Sequence, residues 1–128
     1  MTGMEILIIE DKVAIVSQVV RLIERYCGRK VVFAATIETA KELFLEHKDT
    51  LKIIYLDGRL QSLDEWDTKG LMDLFKEEGF QGSVISISDN TLVERQMLDH
   101  GCSGSCQKME IPTHATMFFG TNKNKVTT

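Results

Sequence analysis

The 128-residue chain has no apolar run approaching the roughly 20 residues a membrane span requires. Its first residues, MTGMEILIIED, lack the basic region and cleavage site of a secretory signal. Both absences point to a cytoplasmic protein. Basic charge is not in excess either: the net charge is −4, with acids and bases interspersed, so no electrostatic footprint for nucleic acid is present. Cysteine is scarce, and its count of three is odd. Cys102 and Cys106 would stand roughly 13 Å apart on one strand, too far for a disulfide. His100 nearby does not complete a metal site. Free thiols are therefore expected. There is no internal repeat, low-complexity segment or linker. With 43% apolar and 27% charged residues, the chain reads as one folded domain.

What is present is an alternation of short apolar runs with helix-period segments. Residues 4–9 (MEILII), 30–35 (KVVFAA), 51–56 (LKIIYL) and 83–88 (SVISIS) read as strands, with a weak fifth at 102–107 (CSGSCQ). Between them, Val16, Val19 and Ile23, then Ala40, Leu43 and Phe44, then Leu71, Leu74 and Phe75, then Val93 and Met97 recur at helical spacing. Thr36 and Asp89 or Asn90 are candidate N-caps, and Gly28, Gly79 and Gly101 are stops. Pro112 suits the first turn of a short last helix ending near Gly120. No hairpin signal appears, so the strands are parallel, joined by right-handed crossovers. Continuous apolar strands mean that both sheet faces are covered. The expectation is a doubly wound α/β domain over residues 1–120: a five-stranded parallel sheet with helices on both faces, in the flavodoxin-like strand order 2-1-3-4-5. Residues 121–128 (TNKNKVTT) are expected to form a frayed polar tail.

In such a sheet, ligands bind beyond the carboxyl ends of the strands. Glu10-Asp11 follow the first strand, Asp57 the third, Ser88 closes the fourth and Lys108 follows the fifth, all on one edge. Three close carboxylates repel and call for a counter-charge. A hard divalent cation such as magnesium, or manganese, suits an oxygen set of this kind. Lys108 and Ser88 suit phosphoryl oxygens. Asp57 can act as a nucleophile toward phosphorus, forming an aspartyl phosphate.

This ordered set resembles the receiver domain of bacterial response regulators, across roughly residues 4–119. The resemblance implies that Glu10, Asp11 and Asp57, with the main-chain carbonyl of Arg59, hold magnesium. It further implies that Asp57 is the phosphoacceptor of a two-component phosphorelay, fed by a histidine kinase or a histidine phosphotransfer protein. Ser88 and Lys108 would contact the phosphoryl group, and output would pass to a protein partner. A dimer or docking face would form from the fourth and fifth helices and the strand between them. Any chemistry would be limited to self-phosphorylation from a phosphodonor and autodephosphorylation. The chain departs from the family's pattern at three places. Met109 stands where proline usually follows the lysine. Ser105 stands at the aromatic switch position. The segment GRLQSLDEWDTKG after Asp57 is about four residues longer than typical for the family and lacks its usual proline.

Taken singly, several of these residues have plainer readings. Asp11 reads as a helix cap, Ser88 as satisfying its own backbone, and Lys108 as a solvated turn residue. The acids of DEWD (64–67) read as solvated, Trp66 as a hydrophobic anchor of its loop, and the three histidines as surface or packing groups. Their joint placement favours the phosphoacceptor. The alternative is a receiver-like module that works by protein contact without phosphate. Other enzymes on similar folds fit poorly. A haloacid-dehalogenase-type phosphatase needs an aspartate where Arg59 stands, and a nucleotide-binding domain or flavodoxin needs a phosphate loop where EDKVAI stands.

Overall fold

Strands that bury both faces need apolar side chains at every position, and the runs identified above supply them. In a computed structural model, which describes residues 3–120, they form one parallel sheet. Its strands are β1 (Ile6–Ile9), β2 (Val31–Ala34), β3 (Ile53–Leu56), β4 (Ser83–Ser86) and β5 (Gly104–Ser105), ordered β2-β1-β3-β4-β5. The helices are α1 (Val13–Tyr26), α2 (Ile37–His47), α3 (Lys69–Glu77), α4 (Thr91–Asp99) and α5 (Ile111–Phe119). A 3₁₀ turn at Lys108–Glu110 leads into α5. This is the doubly wound order expected. The tail 121–128 lies outside the described residues. Among the described residues, no helix is long and apolar enough to cross a membrane.

Side-chain alternation divides the core into two layers. Leu7, Ile9, Ile54 and Leu56 pack with Phe44 of α2, Leu71 and Phe75 of α3, and Val93 and Met97 of α4. Ile6, Ile8, Ile53 and Tyr55 pack with Val16, Val19 and Ile23 of α1 and Ile111 and Ala115 of α5. Each large apolar side chain buried in this way contributes about 1.5–3 kcal/mol. The helix starts follow local chemistry. Thr36 Oγ1 accepts the Thr39 N–H at 3.1 Å, and Asn90 Oδ1 accepts the Val93 N–H at 3.0 Å, which makes Asn90 rather than Asp89 the cap of α4.

All five strands are shorter than their sequence patterns suggest, and in β4 and β5 the shortening bears on the site. The β4 ladder stops at Ser86: Ile87 still donates to the Leu56 carbonyl at 3.0 Å, but Ser88 Oγ then accepts the Asn90 N–H at 3.2 Å and turns the chain into α4. β5 is reduced to Gly104–Ser105, small residues with little apolar surface to bury. It is bracketed by bonds from the Ser103 N–H to the Val84 carbonyl and from the Cys106 N–H to the Ser86 carbonyl. Cys102 and Cys106 thus flank the strand instead of lying on it. Both are free, and burial pushes each thiol up to about 11.

Candidate functional site

The ladder itself brings the acids together. β1 and β3 are in register through Ile9 and Leu56, so the next residues out, Glu10 and Asp57, emerge side by side. The Asp57 N–H still donates to the Ile9 carbonyl at 3.0 Å, which holds the acid at the strand tip. Asp11 follows Glu10 at the mouth. One carboxylate oxygen from each of Glu10, Asp11 and Asp57 lies within 4.8 Å of the others. Glu10 is 1% exposed and Asp57 4%, whereas Asp11 is open to solvent.

Lys108 reaches into this cluster from the 3₁₀ turn. Its Nζ is 2.9 Å from Glu10 Oε2 and 3.5 Å from Asp57 Oδ2, with its side chain only 12% exposed. Glu10 Oε1 accepts the Lys12 N–H at 3.2 Å. Glu10 Oε2 is fully buried and is held by the Lys108 ammonium as an ion pair, with no further hydrogen-bond partner among the described residues. Three carboxylates against one ammonium leave a formal deficit of two positive charges. Burial raises the Asp57 carboxyl above its ordinary range, against the opposing pull of Lys108 and the Arg59 N–H. Asp11 is raised by its side-chain contact with Glu10, by partial burial and by the Glu10 charge. Burial alone would lower the Lys108 ammonium, but Glu10, Asp57 and Asp89 outweigh it and raise it. An all-oxygen cluster with unbalanced negative charge, one of whose buried oxygens is held by the Lys108 ion pair alone, fits a hard divalent cation.

A cavity of about 260 Å³ opens over the cluster, lined by Asp11, Asp57, Arg59, Asp89 and Lys108 among others. A larger cleft of about 320 Å³, lined by Lys48, Lys52, Glu78 and Gly82, gathers no comparable acidic cluster. Ser88 does not line the acidic cavity. It sits one residue further along its strand path, level with Gly58, and its hydroxyl is engaged with the backbone of Asn90. Ser105 is exposed on the edge strand, with no ring to turn inward. Arg59 contributes its N–H to Asp57 Oδ1 at 3.4 Å, while its side chain leaves for Asp89.

The long segment after Asp57 is built around residues that the sequence presents as ordinary. Asp67, one of the acids expected to be solvated, accepts the N–H groups of Leu60, Gln61 and Ser62 at 2.7–2.8 Å. Thr68, fully buried, donates its hydroxyl to the Asp57 carbonyl at 2.8 Å and accepts the indole N–H of Trp66 at 3.1 Å. Trp66 also meets the His100 ring edge-on and packs on the α2–α4 layer, in keeping with an anchor of the loop. Gly58 admits no side chain: a Cβ there would stand 2.3 Å from Val93 Cγ1 and 2.9 Å from Met97 Sδ. The residue after Asp57 is therefore in direct contact with α4. Acid-plus-threonine before a helix was the available signal for Asp67-Thr68, but it names a helix start, not a loop clamp.

Fold and site together define an α/β domain with an acidic, lysine-bearing pocket at the carboxyl edge of its sheet. Known structures place that architecture. The receiver domain of NtrX from Brucella abortus is 20% identical over 89% of this chain and 93% of its own, with a TM-score of 0.71. The CheX–CheY–BeF3–Mg2+ complex from Borrelia burgdorferi matches at 20% identity over 92% of this chain and 90% of that one, with a TM-score of 0.70. The N-terminal domain of an uncharacterized protein from Wolinella succinogenes matches at 22% identity, over 91% and 90%, with a TM-score of 0.72. The chain has the fold of response-regulator receiver domains. No family model and no curated protein matches it in sequence.

Proposed function

We propose that this domain is a phosphoacceptor receiver: Asp57 accepts a phosphoryl group in a magnesium-dependent reaction and passes the signal to a protein partner. The observation that carries the reading is the cluster of Glu10, Asp11 and Asp57 within 4.8 Å, with the buried Lys108 ammonium paired to Glu10 and close to Asp57. Glu10, Asp11, Asp57 and the Arg59 carbonyl would hold Mg2+. When bound, that ion neutralises charge on the phosphoryl oxygens. Asp57 attacks phosphorus through a carboxylate oxygen, a new P–O bond forms, and the bond from phosphorus to the donor's imidazole nitrogen or acyl oxygen breaks. Lys108, 3.5 Å from Asp57 Oδ2, supplies a point charge for one phosphoryl oxygen. Ser88 contacts another once its hydroxyl leaves Asn90. The donor is a histidine kinase or a histidine phosphotransfer protein. The Borrelia neighbour, a complex containing BeF3 and Mg2+, supports the assignment of the ion. Exposed Leu92 and Leu98 on α4 support the α4 side of a docking or dimer face formed with α5.

Incubation with a small acyl phosphate and Mg2+ tests the reading by intact mass. One added phosphoryl group is expected, absent without the metal and absent in Asp57→Asn. An unmodified wild-type protein refutes it. A second reading, a module that signals by protein contact without phosphate, is favoured by the exposed Ser105 and by the engaged Ser88 hydroxyl. It requires that Mg2+ not bind and that Glu10 and Asp11 be replaceable at no cost to partner binding.

A further inference from the structure

The side chain of Arg59 crosses the mouth of the acidic cavity. It leaves the segment after β3, donates from one terminal nitrogen to the Leu63 carbonyl, and from the other to Asp89 Oδ1 at 2.9 Å. Asp89 stands immediately before Asn90, the cap of α4. One guanidinium thus ties the loop carrying the phosphoacceptor to the loop that begins α4. Arg59, Asp57 and Asp89 all line the same cavity, and the Arg59 N–H already touches Asp57 Oδ1. The Asp89 side chain is 62% exposed, so its pairing with Arg59 is a weak surface ion pair, whereas a phosphoryl group on Asp57 would offer up to three acceptor oxygens in a sheltered site. A planar guanidinium is suited to such a group, and only Gly58 separates it in the chain from the acceptor.

Resting on the phosphoacceptor reading, we propose that Arg59 is a second phosphoryl-contacting cation, which exchanges Asp89 for the phosphoryl oxygens and so unties α4 from the acceptor loop. Asp89 is the holder of the resting state. The exchange gives this chain a route from Asp57 to α4 that needs no aromatic ring at Ser105. It also explains why a charged side chain spans the cavity mouth at rest.

The test uses the purified chain with Mg2+ and beryllofluoride as the phosphoryl mimic, following the fluorescence of Trp66, the single tryptophan. Arg59→Gln keeps the main-chain carbonyl and removes the guanidinium. It should weaken apparent beryllofluoride affinity at least about tenfold, the size of one charge-assisted hydrogen bond. Asp89→Asn should tighten it by releasing Arg59. In the double variant the gain from Asp89→Asn should vanish, because there is no guanidinium left to free. If Asp89→Asn has the same effect with and without Arg59, or if Arg59→Gln binds the mimic as wild type does, the exchange is refuted while the phosphoacceptor reading stands. If the wild-type protein takes up neither Mg2+ nor beryllofluoride, the phosphoacceptor reading itself fails and the exchange falls with it.

Discussion

Lys108 is the group whose removal says most about the cluster. Lys108→Met keeps the aliphatic stem and deletes the ammonium, leaving Glu10 and Asp57, 1% and 4% exposed, without their counter-charge. Stripping one partner from a buried ion pair costs about 3–5 kcal/mol. The 12% exposure of Lys108 and the open side of the cavity place the expectation near the lower end, about 3 kcal/mol. For a domain of this size that is a fall of roughly 10–15 °C in thermal midpoint. The assay is urea unfolding at neutral pH with chelator, repeated with millimolar Mg2+. Mg2+ should recover more stability in the variant than in wild type, because the ion then supplies the whole of the missing charge. Acid should also recover part of the loss. Asp57 has a folded-state pKa raised by burial, so the folded state binds its proton more readily than the unfolded chain. Stability from that group is therefore full below the unfolded value and lost as pH rises through the folded one. The recovery should begin above the ordinary carboxylate range. A variant as stable as wild type in chelator, or one that Mg2+ stabilises no more than wild type, would show that the ammonium does not balance the acids.

Three further outcomes are expected. Mg2+ affinity, measured by Trp66 fluorescence, should weaken as pH falls, beginning above the ordinary carboxylate range, because Asp57 and Asp11 both hold protons more tightly than free carboxylates do; an affinity flat down to that range would contradict it. Phe44→Ala should cost about 3–5 kcal/mol in denaturant unfolding, since Phe44 is fully buried against Phe75 at a centroid distance of 4.6 Å; a loss below about 1 kcal/mol would mean the layer repacks. Thr68→Val should cost about 1–3 kcal/mol, by leaving the Asp57 carbonyl and the Trp66 indole N–H without their shared partner. A wild-type Trp66 emission spectrum in that variant would count against the bridge.

The sheet was legible because its signal is redundant. Each of β1 and β3 carries four consecutive apolar residues, every one buried, and that pattern survives any error of a residue at either end. The placing of Glu10 beside Asp57 was legible for the same reason, since parallel register carries any two strand tips to one edge. Ser88 shows where this logic stops. An apolar-hydroxyl alternation cannot tell a last ladder residue from the first residue of a turn, and a single hydroxyl bond to Asn90 decides it. Asp67 and the Arg59–Asp89 pair were not legible at all. The first depends on three successive amides curling round a carboxylate five to seven residues later. The second joins loops from different strands, thirty residues apart, and no local pattern encodes the distance between them.

The brevity of β5 has a bearing on Lys108. With only Gly104 and Ser105 in the ladder, the sheet gives this edge of the chain little purchase. What steadies the lysine lies downstream: Gln107 and Glu110 close a reciprocal cap on the turn, and Ile111 and Ala115 sink into the layer shared with α1. The positive charge facing the acids is thus moored to the helical layer beneath it. Its distance from Asp57 is set by how α5 seats against α1.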